Sequence, residues 1–296
     1  MWLQTAAFAS RRRAGRAGST RPATADEITT APPAVQAALL RVVLERVVGD
    51  LELPADVAVV AAANPPEQAA DGWDLSAPLA NRFCHLDGSP EATAFAEDLT
   101  TGWPAPSLPD LPDDWEVRQP AARGMVGAFV AARPSLLSAM PSEASSAGRT
   151  WPSPRTWDMA ARLLTVAELA DTTEEVRTAL VAGAVGPGAG IEFLNWISEM
   201  DLGDPEVALA DPDSFVLPER DDRAYAALSS VAAAVAAEPT SERWLAGWKV
   251  LARAGAGTPD VAAMAARVLA RCRPDGTALP PEVKMFAPLL KEAGLM

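Results

Sequence analysis

Four short stretches of this chain carry side chains able to do chemistry at points where a strand or helix begins or ends. Asp26 and Glu27 stand together in ATADEITTAPPAV, and Asn64 follows the apolar run VAVVAAA. Arg82 lies in LANRF, and Arg155 follows Ser153 and Pro154 in WPSPRTWDMAARLL. Paired carboxylates can hold a proton or a hard cation, an amide both donates and accepts, and a guanidinium is a permanent planar cation suited to anions. Each residue also has a plainer reading. Acids ahead of a helix are favourable surface charge. Asn64 before Pro65-Pro66 suits a turn, Arg82 suits a surface ion pair, and Arg155 suits a helix start.

These residues must be positioned by the elements between them. Val57–Ala63 reads as a buried strand, because a short apolar run bounded by turn signals fits a parallel-sheet core. Asn64 then stands at its carboxyl end, where open α/β sheets keep ligand sites. Pro65 and Pro66 stop any helix, and Asp71, Gly72 and Asp74 keep the next stretch looped. From Pro33 the sequence has helical spacing, with Val35, Leu39, Val42 and Val43 on one face. VVGDLEL reads as a hairpin turning at Gly49-Asp50, and a short strand is expected around Phe83–Leu86. Helices are expected at about 91–101, 116–132 and 155–170, with Pro-rich connectors such as TGWPAPSLPDLPDDW. Further helices are expected near 174–184, 190–200, 221–237, 241–254, 258–272 and 281–293, with breaks at 186–188 and 203–218. No fixed-period repeat is present. The fold class is therefore α/β followed by α.

Composition narrows the partners. The formal charge of −14 argues against nucleic acid and anionic membranes, which need clustered Lys and Arg. Residues 1–25 are the exception, with Arg11, Arg12, Arg13, Arg16 and Arg21 and no acid. They lack periodicity and are expected to be a disordered, basic arm. Their acid-free start resembles a transit peptide in composition, while the Ala-, Arg-, Pro- and Gly-rich usage throughout fits a high-GC bacterial reading frame. No apolar run nears the roughly 18 residues of a membrane span. Cys84 and Cys272 form no metal-type spacing and read as reduced thiols of a cytoplasmic protein. His85 reads as a satisfied structural histidine. Trp244 and Trp248, at i and i+4, read as packing or partner-contact groups.

Taken in order, the stretches resemble the AAA+ ATPases, within them the MoxR-like branch. DEITTAPPAVQAALLRVVLE resembles the Walker B end and the helix after it, VGDLEL the hairpin before the sensor 1 strand, and VAVVAAANPPE that strand with its Asn. LANRF resembles the arginine-finger segment, and WPSPRTWDMAARLL the sensor 2 motif opening a helix of the lid. The resemblance covers about residues 26–170. It implies ATP and Mg²⁺ as cofactors, with Asp26 on a Mg²⁺-bound water and Glu27 accepting a proton from, or orienting, the attacking water. Asn64 would fix that water. Arg82 would reach the γ-phosphate of a neighbouring subunit's nucleotide, and Arg155 the phosphate of its own. A site split in this way implies a homo-oligomeric ring, a hexamer. Family membership implies chaperone-like remodelling of a partner, often a von Willebrand factor A-domain protein.

The expected layout is a basic arm at 1–25, a partial AAA+ core with a parallel sheet at 26–105, a helical lid at 106–170 and an added all-helical domain at 171–296. The departure from the family is large. No G-x-x-x-x-G-K-[ST] stretch exists, so the backbone cradle and lysine for the β- and γ-phosphates are missing. GSTRPATA also replaces the apolar strand expected before Asp26, and Pro22 could not serve a central strand. Two accounts fit: a fragment of a longer ATPase, favoured because the later motifs are intact, or a degenerate subunit lending Arg82 to an intact neighbour. Both expect poor ATP binding by the chain alone. The rival from another class is a non-enzymatic helical interaction module retaining an ATPase remnant.

Overall fold

The computed structural model describes residues 2–6, 23–54, 57–64, 72–104, 109, 111–112, 115–200, 203–255 and 259–295. The five arginines of the basic arm and the Pro65-Pro66 break lie outside the described residues. The chain divides into two compact units. One gathers Met1–Asp113 with Leu136–Ile191, and the other Asp114–Ser135 with Glu192–Met296. These are not the divisions expected after residues 105 and 170. The helix expected at 116–132 as part of a lid instead packs with the carboxyl-terminal helices.

In the first unit, β1 (Trp2–Ala6) and β2 (Ala23–Ala25) are followed by a 3-10 turn at Ile28–Thr30 and helix α1 (Pro33–Glu45). Then come the hairpin β3 (Val47–Val48) and β4 (Leu51–Glu52), strand β5 (Val59–Ala63), the single-turn α2 (Ala77–Ala80), strand β6 (Cys84–Asp87) and helix α3 (Ala92–Thr101). The sheet order is β2-β5-β1-β6. β2 runs parallel to β5, with Ala25 opposite Ala61. β1 is antiparallel to both β5 and β6, so β2, β5 and β6 all point the same way. The sheet is therefore mixed where a parallel one was expected. Two parts of the expected disordered arm, Trp2–Ala6 and Ala23–Ala25, are strands. Their physical role is to pair both edges of β5, whose backbone groups would otherwise be buried unsatisfied.

Local chemistry explains the connections. Pro33 opens α1, where its missing N–H costs nothing. The helix leaves through Arg46 in the left-handed region at φ 58. Its guanidinium donates to the carbonyls of Pro54, at 2.7 Å, and Val57, while Leu53 N–H donates to Arg46 O at 2.7 Å. The two ends of the hairpin are thus closed on one residue. β5 buries Val59, Ala61 and Ala63 against Ile28, Leu75, Leu79 and Phe83. The expected apolar face of α1 is only partly realised: Val43 is buried, but Val35 is half-exposed and Gln36 is buried at 1%. Burial of Gln36 is possible because its amide is satisfied. Nε2 donates to Ala31 O and Asp74 O at 3.1 and 3.2 Å, and Oε1 accepts from Ser76 N–H at 2.8 Å.

Helix α4 (Trp115–Ala132) belongs to the second unit; α5 (Ala144–Ala147), α6 (Pro154–Leu169) and α7 (Glu174–Val185) belong to the first. Ser153 and Thr156 form a capping box at the start of α6, and Trp157 Nε1 donates to Leu136 O at 2.7 Å. α7 lies directly on β6. A Cβ on Gly183 would sit 2.5 Å from His85 O and 2.9 Å from Cys84 Sγ, so only glycine permits this approach.

The chain continues through α8 (Pro187–Met200), α9 (Pro205–Ala210), α10 (Asp221–Ala237), α11 (Ser241–Gly255) and α12 (Pro259–Arg271). It ends in a 3-10 turn at Pro281–Phe286 and α13 (Ala287–Glu292). The single helix expected over 281–293 is divided because Pro288 lacks an N–H and crowds the preceding turn. α9 falls within a stretch expected to be a break. It is held by the Asp204 cap and by a bidentate pair from Arg243 to Glu206 at 2.6 and 2.8 Å. In the second unit α4 packs on α10, whose small residues allow close contact; a Cβ on Gly124 would lie 3.4 Å from Ser229 O. Phe129 meets Phe193 and Trp196 at ring separations of 5.2 and 5.6 Å. Trp244 and Trp248 are fully buried in the core of this unit, 5.9 Å apart edge to face. Among the described residues no helix is long and apolar enough to cross a membrane.

Two glycine substitutions separate the effect of contact from that of helix propensity. Gly183→Ala should lower stability by about 1–2 kcal/mol, a fall of roughly 3–6 °C in Tm, because overpacking against β6 outweighs the better helix former. Gly188→Ala, with open space around it, should leave Tm unchanged or slightly raised. Equal effects in thermal melts would contradict the packing argument.

Candidate functional site

Asp26 and Glu27 leave the carboxyl end of β2, and Asn64 leaves the carboxyl end of the parallel neighbour β5. These three residues therefore share one edge of the sheet. Asp26 and Glu27 are exposed, and Asp26 Oδ1 accepts from Glu27 N–H at 3.1 Å. Glu27 adopts a left-handed backbone at φ 48, and its carbonyl accepts from Thr30 Oγ1 at 2.8 Å. The acidic dipeptide is thus held at the entry to the 3-10 turn. Asn64 is partly buried.

Arg82 and Arg155 come together elsewhere, around a residue that sequence reasoning missed. Asn81 is 2% exposed; its Oδ1 accepts from Ser153 Oγ at 2.8 Å and from Arg155 Nη1 at 3.4 Å, while its Nδ2 donates to Trp151 O at 3.1 Å. Ser153 is also the cap of α6, accepting from Thr156 N–H. One amide therefore joins the turn after α2 to the start of α6. Arg82 follows in sequence, with Nη1 donating to Pro78 O and Nε buried without a partner. Burial, and then the charge of Arg155, lower the pKa of Arg82. Among the described residues neither guanidinium has a carboxylate within ion-pair distance. The positive end of α6 adds to the same field. Two cations held together without a counter-ion make a site that favours an anion.

The sheet assigns the two groups to opposite edges. β6 runs parallel to β5, and Ala63 and Asp87 both pair with Trp2, so their carboxyl ends are level. Asn81 and Arg82 precede β6 and hence sit at its amino end. Asp26, Glu27 and Asn64 form one group, and Arg82 and Arg155 the other. The expected pairing of Arg155 with Asn64 on one nucleotide is not the grouping this chain displays. Asn81 could have been suspected from its place beside Arg82, but its partners are 70 or more residues away in sequence.

Beneath this turn, His85 is buried and its Nε2 lies 2.8 Å from Ala80 O. Burial holds its pKa down at about 4, despite the carbonyl contact. Cys84 is likewise buried, and desolvation pushes its thiol up to about 12, which makes it a poor nucleophile. Both expectations, a structural histidine and a reduced thiol, match this setting.

The fit to MgATP is divided. Mg²⁺ needs only one or two protein carboxylates beside phosphate oxygens, and exposed Asp26 meets that need. No group of three or more metal-type ligands occurs among the described residues. The phosphate cradle does not fit. The chain has no P-loop sequence, and the strand lying between β5 and β6 runs antiparallel, so its carboxyl end lies away from Asn64.

Two measurements probe this region. Asn81→Ala removes two buried hydrogen bonds, from Ser153 Oγ and to Trp151 O, groups that each keep a bond to Thr156, and should cost about 1–2 kcal/mol in urea unfolding; a loss below about 0.5 would remove the clamp from the account. His85 takes up a proton in the unfolded chain below pH 6.5 but in the folded one only near pH 4. Its contribution is complete above pH 6.5 and is lost as pH falls from 6.5 to 4, by at most about 3 kcal/mol. His85→Gln should flatten stability across that window, and an unchanged slope would contradict the assignment. No known protein family matches the chain, nor does any curated protein or solved structure.

Proposed function

We propose that the chain is a subunit of a MoxR-like AAA+ ATPase whose own contribution is a pair of arginines offered to phosphate. The observation that carries this reading is that Arg155, bonded to Asn81, stands close enough to Arg82 for its charge to lower the Arg82 pKa, with no carboxylate partner to either among the described residues. A permanent planar cation in a partly desolvated setting suits the charge that develops on a transferring phosphoryl group. The acidic pair and Asn64 at the other sheet edge supply the complementary half. Copies meeting edge to edge in a ring, a hexamer on this reading, would place the arginines of one against the acids of the next. Arg155 then serves the neighbour's phosphate together with Arg82, in place of its own subunit's.

When bound, ATP with Mg²⁺ would supply the phosphoryl group to be transferred and a positive charge to offset that of the phosphates. The roles left to this chain are orientation and charge: Asp26 toward the cation's water, Glu27 toward the proton of the attacking water, Asn64 as a neutral donor and acceptor, and the arginines toward the γ-phosphate. ATP turnover would be coupled to chaperone-like remodelling of a partner such as a von Willebrand factor A-domain protein. Because the P-loop sequence is lacking, the chain by itself is expected to bind ATP poorly and to show no turnover. That same lack favours a second reading, a non-enzymatic helical interaction module keeping an ATPase remnant.

Supplying the missing part distinguishes the two. Fused behind a P-loop strand and helix from a MoxR-like protein, the chain should hydrolyse MgATP. Glu27→Gln, Asn64→Ala and Arg82→Ala should each slow turnover about a hundredfold or more. A folded, ATP-binding fusion that is inactive, or indifferent to all three changes, would favour the interaction module. Turnover by the unfused chain, abolished by Glu27→Gln, would defeat the claim that it depends on a partner.

A further inference from the structure

Helix α3 buries none of its ten residues, and among the described residues no other helix or strand packs along it. Its large side chains still fall in one row. Phe95 and Leu99 are one turn apart, Gly102 at φ 94 ends the helix, and the Trp103 ring meets that of Phe95 at a centroid separation of 5.6 Å. The three are 47%, 68% and 62% exposed. A helix of this length is marginal in water unless an apolar face is packed. Glu91 caps its start, accepting from Thr93 N–H at 3.0 Å and Ala94 N–H at 2.7 Å, but the cap leaves the apolar row in water. Three large apolar groups aligned on an otherwise bare helix are the signature of an anchor face.

Charge narrows what can cover that face. From Phe83 to Val117 the chain has eight Asp or Glu and no Lys or Arg. Glu97 and Asp98, just ahead of Leu99, have no cation within ion-pair distance among the described residues. An anionic membrane would be repelled. Pairing with α3 of a second copy would bring two acidic helices together, and the three side chains offer about 400 Å² a side against the roughly 800 Å² of a stable interface. A groove that wraps the helix buries its flanks as well, and basic residues on the rim would meet Glu97 and Asp98.

We infer that α3 docks in an apolar groove rimmed by Lys and Arg on another protein, with Phe95, Leu99 and Trp103 as its anchors. α3 holds none of the residues assigned to phosphate chemistry, so the test stands apart from the ATPase reading.

The probe is a fluorescein-labelled helical peptide of Leu and Lys in a heptad pattern, its apolar face bordered by lysines, titrated with the full chain. The same peptide with Glu in place of Lys is the control. The Leu/Lys peptide should bind saturably and at least tenfold more tightly than the Leu/Glu peptide. Hydrogen exchange of the α3 amides, fast in the free chain, should slow tenfold or more on binding. Phe95→Ser combined with Leu99→Ser should weaken binding tenfold or more without lowering Tm. Glu97→Gln combined with Asp98→Asn should narrow the preference for the Leu/Lys peptide. Absence of saturable binding, binding that survives the double serine change, or protection that appears only outside α3 overturns the proposal. Two further outcomes also overturn it by naming a different cover: self-association in sedimentation, or binding to phosphatidylcholine vesicles, that the double serine change abolishes.

Discussion

The side-chain amide of Asn81 is the contact on which the candidate site depends. Its oxygen takes two donors and its nitrogen serves one carbonyl, so a single buried residue ties the turn carrying Arg82 to the helix start carrying Arg155. A carboxylate in this position would offset the arginines' charge, and an aliphatic residue would leave Ser153 and the Trp151 carbonyl tied only to Thr156 and no longer to the turn. A neutral amide holds the Arg155 guanidinium beside the turn that carries Arg82 while leaving both charges available. Partial burial makes the Arg82 charge more valuable to an anion, because water screens it less, while Arg155 stands exposed beside it.

The surrounding fold is arranged to keep this turn in place. Gln36 uses its own amide to draw the loop before α2 onto α1, and Arg46 closes the hairpin with backbone carbonyls. On the other side of β6, Gly183 lets α7 approach the strand closely enough to exclude water from Cys84 and His85. The depressed basicity of His85 follows from that exclusion. The region that presents cations is therefore supported by neutral polar groups and tight backbone contact. Asp26, Glu27 and Asn64, at the far ends of β2 and β5, complete a polar edge of opposite character.

Much of this architecture could be read from local signals, because prolines mark helix starts whatever lies around them. Pro33, Pro154 and Pro259 open helices close to where they were expected, Gly49-Asp50 turns the hairpin, and the apolar run ending at Ala63 is a buried strand. What failed was non-local. The pairing of Trp2–Ala6 between β5 and β6 has no periodic signature in five residues, and Ala23–Ala25 is too short to reveal itself. Gln36 displaced Val35 from the buried face of α1 because its hydrogen bonds reach Asp74 and Ser76, about forty residues away. Arg82 and Arg155 were visible as candidates, but their convergence was not, since Asn81 reads as an ordinary turn residue until Ser153 is beside it.

The central claim is that Arg82 and Arg155 form an anion site whose charge is left uncompensated. Binding of tripolyphosphate at low ionic strength, followed by calorimetry, tests it most directly. The account predicts saturable binding that Arg82→Gln or Arg155→Gln each weakens about tenfold or more, and that Asn81→Asp abolishes by placing a carboxylate against Arg155. Binding that is absent in the unaltered chain, or that survives Asn81→Asp undiminished, would contradict it.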